Sequence, residues 1–400
     1  MELVLKEAIH ALAGGVGYGP ASRVCPAGEP GGVNRRELCR RFGISPDVAY
    51  KWLSRFAGGD DVLSDRSRRP QHSPGRSAGW IEERVLAVRD AHPAWGARKI
   101  ARILQDQGQA VPALSTIHAI LSRHGRIPPP SGTPGQPYQR FEKEAPNQLW
   151  QMDFKGWITF TDAARCYPLT IVDDHARFCP CLKACADQQS PTVQEHLTTT
   201  FTRYGLPDAL FVDNGTPWGD PSGHHWTRLR VWLLKLGVEV IYSRPYHPQG
   251  RGKNERFHRT LKAEVFALKR FAGFSQLQRA LDAWREVYNF VRPHEALGQE
   301  VPASRYRPSV RVMPKRLPVP EYNEGDIVRS VPSSKDYISF KGRLWKVPQA
   351  FRGERLAIRP LNTDGHFGVF FAAHQIATID LTKPKSVGHV SEQASAMSPG

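Results

Sequence analysis

The 400-residue sequence predicts a multidomain protein. A helical N-terminal region with two helix-turn-helix units is followed by a mixed α/β domain and a small C-terminal β-barrel. Three observations predict it. Two stretches with helical apolar spacing, each broken by a short turn, precede Ile127. Between Asn147 and Gly298, three strand-like runs give way to alternating helix and strand, the pattern of a mixed sheet with helices on its faces. Beyond Lys315–Pro320, short β-branched and aromatic runs alternate with turn pairs such as Lys341-Gly342 and Asp364-Gly365, which suits a small barrel.

Charge narrows the partners. Lys and Arg number 55 against 38 Asp and Glu, a net charge of +17. That balance favours a polyanion, and the clustering of the cations beside helix-turn-helix patterns favours nucleic acid. No apolar run reaches transmembrane length and no leader pattern opens the chain, so the expectation is a cytoplasmic protein on DNA, with no membrane partner. The cysteines are Cys25, Cys39, Cys166, Cys179, Cys181 and Cys185. They are too few for a disulfide scaffold and contain no Cys-x-x-Cys pair. They read as buried, reduced thiols.

The first expected domain covers 1–60. A helical pattern from Leu3 to Leu12 precedes a Gly/Pro-rich stretch, Gly14–Gly32, which lacks the Lys-Ser/Thr of a phosphate loop and reads as an insertion. From Asn34 to Phe56, Leu38, Cys39 and Phe42 share one helix face and Gly43 supplies a turn. Ser45 can cap the next helix, and Pro46 fits its first turn. Val48, Ala49, Leu53 and Phe56 then face inward, which leaves Tyr50, Lys51 and Arg55 as candidate DNA contacts. Residues 61–79 form a basic linker whose Arg66, Arg68 and Arg69 suit the minor groove. A second unit, 80–126, has helices near Ile81–Arg89, Ala97–Gln107 and Leu114–Arg123. Its outward His118 and Arg123 are candidate contacts. Residues 127–145 are a Pro/Gly-rich linker.

The α/β domain, 146–300, holds three acids at the ends of expected elements: Asp153 on the first strand, Asp213 ending the fourth, and Glu255 starting a long helix. On that helix His258, Arg259 and Lys262 share the Glu255 face, while Phe257, Leu261 and Val265 form an apolar face. Carboxylates in a protein built to hold polyanions suggest a hard divalent cation, Mg²⁺ or Mn²⁺, and phosphodiester chemistry. Asp153, central on its strand, is the choice to bridge two such ions. Spacing alone leaves Asp162, Asp173, Asp174, Asp220 and Glu264 as competitors. Asp173-Asp174 reads as a hairpin turn.

The motifs Trp150-Gln151-Met152-Asp153-Phe154, Val212-Asp213-Asn214-Gly215 and Ser243–Gly250 leading into Glu255-Arg256-Phe257-His258-Arg259-Thr260-Leu261-Lys262 occur in that order. Together they resemble the DDE transposase and retroviral-integrase superfamily, in its bacterial insertion-sequence branch. Tyr288-Asn289, Arg292-Pro293-His294 and Ala296-Leu297-Gly298 resemble that branch too. The resemblance implies an RNase H-like core and two divalent ions held by Asp153, Asp213 and Glu255. It implies hydrolysis that frees a 3′-hydroxyl at each element end, then attack of that hydroxyl on target DNA. Double-stranded DNA, as terminal inverted repeats and as target, is the implied partner. A dimer or higher assembly is needed to pair two ends. The interval from Asp213 to Glu255 is longer than usual in the superfamily, and Gly219-Asp220-Pro221-Ser222-Gly223-His224-His225 reads as a loop insertion. The His-His-Cys-Cys zinc domain of retroviral integrases is not visible. Near the acids, Gln249, Lys253, Arg256, Arg259 and Lys262 are candidate DNA contacts. Residues 301–320 read as a linker, 321–382 as the barrel and 383–400 as a disordered tail. The alternative readings are a DNA-binding regulator or domesticated transposase with an inactive core, and a structure-directed nuclease on the same fold.

Overall fold

The computed structural model describes residues 76–127, 142–219, 226–243 and 252–383, with 36, 39–40, 45–47, 50 and 54 before them. The chain divides into two compact units, Met1–Arg76 and Ser77–Gly400. In the first, Arg36, Cys39, Arg40, Pro46, Asp47, Tyr50 and Ser54 are helical. Cys39 is buried while Tyr50 is exposed, the sides expected of them. The helix at Leu3–Leu12, the Gly-rich stretch, Lys51, Arg55 and the arm carrying Arg66, Arg68 and Arg69 lie outside the described residues. So do most of the linker after Ile127, the loop carrying Gln249 and the segment after Lys383.

The second unit opens with three helices, α1 (Gly79–Ala91), α2 (Ala97–Asp106) and α3 (Leu114–Arg123). Helical spacing sends Val85, Ile100, Leu104, Ile117, Ile120 and Leu121 into one small core. Trp95, in the turn between α1 and α2, is buried with its ring stacked on His92, 3.6 Å between centroids. Gly108 ends α2 at φ +66°, a conformation glycine takes without strain. One charge lies inside this bundle. Glu82 is 5% exposed and accepts from Arg123 and from His124, each at 2.9 Å. A buried carboxylate survives only with such partners.

Next comes the central sheet: β1 (Trp150–Phe154), β2 (Ile158–Thr159), β3 (Arg165–Asp173), β4 (Cys181–Cys185), β5 (Ala209–Val212) and β6 (Glu239–Tyr242). β3 pairs antiparallel with β1, β2 and β4, and β1–β5 and β5–β6 are parallel. This is the mixed sheet expected of an RNase H-like core. β1 ends at Phe154, and Gly156, at φ +82°, turns the chain toward β2. α4 (Ser190–Tyr204) and α5 (Arg228–Lys235) cover one face. Val193, Leu197, Phe201, Leu229, Trp232 and Leu233 meet Trp150, Met152, Leu169, Ile171 and Leu210 there. α6 (Gly252–Leu261), a π-helical turn (Lys262–Phe266) and α7 (Phe274–Phe290) cover the other. Phe257, Leu261, Leu277, Leu281, Trp284 and Tyr288 pack there on Cys166, Val172, Cys179 and Leu182.

Residues after α7 run through the short helix α8 (Pro302–Arg305) into a strap. The expected linker begins bound rather than loose. Ser309 N–H donates to Tyr204 O at 2.8 Å, and Leu206 N–H donates to Arg311 O at 2.7 Å. The Arg311 guanidinium donates to Pro207 O, Leu236 O, Gly237 O and Asp208. A Cβ on Gly205 would stand 2.5 Å from Ser309 O, so the crossing requires glycine there, while Gly237 takes φ +66°, a conformation glycine adopts without strain.

The C-terminal region differs from the closed barrel that was expected. β7 (Ile327–Ser330), β10 (Arg355–Pro360), β11 (His366–Phe371) and β12 (His374–Asp380) form an open antiparallel sheet in the order β12-β11-β10-β7. β8 (Tyr337–Phe340) and β9 (Arg343–Lys346) form a separate hairpin. The physical reason lies in what covers the apolar face. Trp226, Val231 and Leu234, at and within α5, pack into the same core as Phe351, Leu356, Ile358, Val369, Phe371 and Ile376. Lys235 adds an ion pair to Glu354 at 2.9 Å. A sheet whose inner face is covered by a neighbouring helix need not close on itself.

Candidate active site

Strand alternation decides which side chains share the α6 face of the sheet. On β1, Trp150, Met152 and Phe154 enter the core under α4 and α5, so Gln151 and Asp153 point to the opposite face. On β5, Leu210 and Val212 enter that same core, and Asp213, one residue past the strand, follows the alternation toward Asp153. Trp150 pairs with Leu210 and Gln151 with Phe211. Continuing this parallel register sets Asp153 level with Asp213. Both are half-buried. The Asp213 carboxylate accepts from Gly215 N–H at 3.0 Å, and Asn214 donates to Ser243 O at 2.9 Å. These bonds hold the strand end against the end of β6.

α6 lies across these strands. Thr170 is the cross-strand partner of Asp153. Its hydroxyl donates to Asp153 O at 2.9 Å and lies 2.8 Å from His258 Nε2. The hydroxyl has one proton and it goes to the carbonyl, so His258 Nε2–H is the donor to Thr170. Glu255 is one helical turn before His258 on the same helix face and is exposed. Phe257 and Leu261 bury the opposite side. The extrapolated register thus brings two of the three acids level on neighbouring strands, and the third lies on the helix whose His258 reaches Thr170. They do not close into a ligand set: among the described residues no group of three His, Cys, Asp or Glu side chains is arranged to hold a metal ion. The donor chemistry fits, since three hard carboxylates at partly open positions are ligands for Mg²⁺ or Mn²⁺.

The competing acids have other work. Asp173 and Asp174 sit in the expected turn but are fully buried. Asp173 accepts from Asn147 N–H at 2.7 Å and Ala176 N–H at 2.6 Å, and burial pushes its pKa up. Asp174 accepts from Lys143 N–H at 2.8 Å, Gln151 Nε2 at 2.8 Å and Lys253 Nζ at 2.6 Å. Glu264, in the π-helical turn, accepts from Arg292 at 2.9 Å and Trp284 Nε1 at 2.8 Å. Asp162 accepts from Ala164 N–H at 3.0 Å in an exposed turn, and Asp220 lies outside the described residues. Sequence reading missed the bridging role of Asp174. The available signal was Gln151, two residues before Asp153 on an otherwise apolar strand.

The candidate DNA contacts divide by what holds them. His118, Arg259 and Lys262 are exposed, as is Tyr50 in the first unit. Arg123 is held by Glu82. Lys253 is held by Asp174; burial pulls its ammonium down and the Asp174 charge opposes that. Arg256 pairs with Glu295 at 3.3 Å across two exposed side chains, and Arg98 of α2 pairs with the same Glu295. The other motif residues are structural. Asn289 brackets Cys179 by accepting from its N–H at 2.8 Å and donating to its carbonyl at 3.0 Å, and Tyr288 packs on Phe257. Burial, then the neighbouring Arg292, pushes the His294 imidazole down to about 3.

Comparison with known families covers most of this architecture. Integrase core domain models match residues 143–248 and 236–302. The C-terminal domain of IS481 family transposases matches 326–386, and a homeodomain-like domain matches 48–121. The chain is 23% identical over 294 residues to an uncharacterized 39.2 kDa protein of insertion element IS476 from Xanthomonas euvesicatoria, covering 73% of this chain and 81% of that one. It is 22% identical to an uncharacterized 31.7 kDa protein of insertion element IS407 from Burkholderia multivorans, covering 68% of this chain and 90% of that one. Among solved structures, the HTLV-2 integrase catalytic core domain in complex with magnesium aligns with 12% identity and a TM-score of 0.31, covering 41% of this chain and 99% of that one. At that score the superposition adds nothing to the fold assignment. No helix of the described residues is long and apolar enough to cross a membrane. Together these matches support a DDE transposase of the insertion-sequence type, a polynucleotidyl transferase with an integrase core.

Proposed function

We propose that the protein binds the terminal inverted repeats of its own element, cleaves the DNA to expose 3′-hydroxyl ends and joins those ends to target DNA. The observation that carries this reading is the parallel pairing of Trp150 with Leu210 and Gln151 with Phe211, whose continuation would bring Asp153 level with Asp213 on the face where α6, with Glu255, packs on β1. In the first step water attacks the phosphorus at the element end, and the P–O3′ bond breaks to leave the 3′-hydroxyl. In the second, that hydroxyl attacks a target phosphorus and displaces the target's own 3′-oxygen, so one phosphodiester replaces another. Asp153, Asp213 and Glu255 would hold two divalent ions, Mg²⁺ with Mn²⁺ able to substitute, and Asp153 would bridge them. When bound, these supply Lewis-acid stabilisation of the attacked phosphate and of the attacking oxygen. The chain's own part is to hold the three carboxylates on fixed backbone, with Gly215 N–H orienting Asp213 and Thr170 fastening α6 through His258.

The two helical units, 1–60 and 80–126, would read the element ends through Tyr50, Lys51, Arg55 and His118, with Arg66, Arg68 and Arg69 in the minor groove between them. Arg259 and Lys262, exposed beside Glu255, would contact phosphates, as would Gln249 and Arg256. The core of 146–300 would carry the chemistry and the C-terminal sheet would grip DNA. Two ends must be paired, so the active form would be a dimer or larger assembly on DNA in the cytoplasm. The test is strand transfer by purified protein on a labelled duplex carrying the element end, with Mg²⁺, beside Asp213→Asn. Joined products in the wild type, lost at least about 1,000-fold in the variant, support the reading. End binding without cleavage in either protein, under Mn²⁺ as well, replaces it with the regulatory alternative.

A further inference from the structure

The residues two positions before Asp153 and before Glu255 are Gln151 and Lys253, and both donate to one carboxylate. Gln151 Nε2 reaches Asp174 Oδ1 at 2.8 Å, and Lys253 Nζ reaches the same oxygen at 2.6 Å and the Asp174 carbonyl at 3.3 Å. Asp174 is fully buried, and its own N–H donates to Leu149 O at the start of β1 at 2.9 Å. Gln151 shares its strand face with Asp153. Lys253 lies on the inward side of the first turn of α6, with Glu255 on the outward side. One buried anion is therefore bonded to two of the three elements that carry candidate acids, β1 and α6, through residues two positions before Asp153 and Glu255.

We propose that Asp174 is the positioning residue of the active site, and that its ion pair with Lys253 sets the height and rotation of α6 over β1 and so the distance of Glu255 from Asp153. The inference rests on the metal-ligand reading given above and extends it to a buried pair that motif reading assigns to a turn and to a DNA contact. Two points fix a helix on a strand better than one, and here the second is His258 on Thr170, five residues along α6. The pairing is also directional. A buried carboxylate that lost its ammonium would be an uncompensated charge, so the lowest-energy arrangement of the helix start is the one that keeps Lys253 inward. With Lys253 inward, the helix geometry puts Glu255 on the outer flank of α6, one turn before His258, whose ring reaches Thr170 beside Asp153. Partners of this kind, which hold ligand-bearing elements without touching the metal, typically change metal affinity or activity 10- to 100-fold when removed, by about the cost of a misplaced ligand.

The experiment compares full-length wild type, Asp174→Asn, Lys253→Met, the double variant, Lys253→Arg and Asp213→Asn. Mn²⁺ alone is titrated by electron paramagnetic resonance, end binding is measured across a salt series, and end joining is timed in single turnover. The expected result is a loss of about 10- to 100-fold in both Mn²⁺ affinity and joining rate for Asp174→Asn and for Lys253→Met. The double variant is no worse than either single, Lys253→Arg recovers most of the loss, and end affinity and its salt slope stay at wild-type values. A Lys253→Met protein that weakens end binding and lowers the salt slope by about one, beside an Asp174→Asn protein that matches wild type, overturns the proposal and makes Lys253 a phosphate contact. Wild-type protein that joins no ends, while Mn²⁺ affinity still falls in both variants, breaks the strand-transfer reading and leaves the positioning role standing. Joining by wild type with Mn²⁺ affinity unchanged in both variants does the reverse. Should Asp174→Asn fail to fold, Lys253→Met and its Arg rescue carry the same comparison, because Lys253 lies at the start of a helix and keeps some exposure.

Discussion

The helical bundle α1–α3 and the C-terminal sheet are both attached to the catalytic core, by opposite physical means. The sheet shares an apolar core with α5, where Trp226, Val231 and Leu234 are buried together with the sheet's own Phe351 and Ile358. The bundle closes its core without help, around Ile100, Leu104, Ile117 and Ile120. It meets α6 and the turn after α7 through charge. Arg98 pairs with Glu295, which also holds Arg256, and Lys99 lies among Arg292, Glu295, Glu264 and Arg256. No hydrophobic cluster spans that joint among the described residues. Each buried side chain of the first joint is worth about 1.5–3 kcal/mol, whereas an exposed ion pair is worth about 0.2–1 kcal/mol and weakens with salt. The sheet is held to the core by burial, and the bundle by charge.

The largest effect should come from the apolar joint. Phe351 is fully buried against Trp226. Phe351→Ala should cost about 3–5 kcal/mol, and denaturant unfolding should show the sheet and α5 melting together. A variant in which the sheet unfolds while α5 keeps its protection from hydrogen exchange would break the contrast. A smaller, pH-dependent effect is expected at the ionic joint. Burial, then Arg292, pulls the Lys99 ammonium down to about 8. Its folded pKa lies below the unfolded value, so the cost of holding the charge is complete below pH 8 and fades as pH rises toward the unfolded pKa of about 10.5. Lys99→Met should therefore raise the melting temperature at pH 7, with the gain shrinking above pH 8; a gain that grows with pH would contradict the assignment. Smallest of all, Arg98→Ala should change global stability by less than about 1 kcal/mol and yet loosen the bundle. Limited proteolysis after Ile127 should quicken in the variant and, for the wild type, in high salt. Equal cleavage under both conditions would mean that the joint is not ionic.

The two attachments also differ in how legible they are. Apolar periodicity predicts helices close to α1, α2 and α3 because their core is local, with its contacts confined to about forty residues of chain. Strand alternation predicts β7 to β12 nearly as well, but it shows only that a face is apolar and not what covers it. Hence the expected barrel and the observed open sheet. The candidate site divides in the same way. The acids and the stripe Phe257, Leu261 are readable from short motifs, and alternation along β1 and β5 gives Asp153 and Asp213 a common face. Asp174 and Lys253 are 79 residues apart, and nothing in either neighbourhood announces the other. A double acid before a turn looks solvated until the fold buries it.

The strap from Tyr306 to Met313 has a consequence for how such a chain can vary over generations. It crosses Gly205 with no space for a Cβ, because Ser309 O would lie 2.5 Å from it, and Arg311 spends its guanidinium on the Pro207, Leu236 and Gly237 carbonyls. Gly205 and Ser309, about a hundred residues apart in the chain, are therefore coupled. A lineage that gains a side chain at Gly205 should carry a change in the strap near Ser309 with it, so divergence there should arrive in linked changes rather than singly.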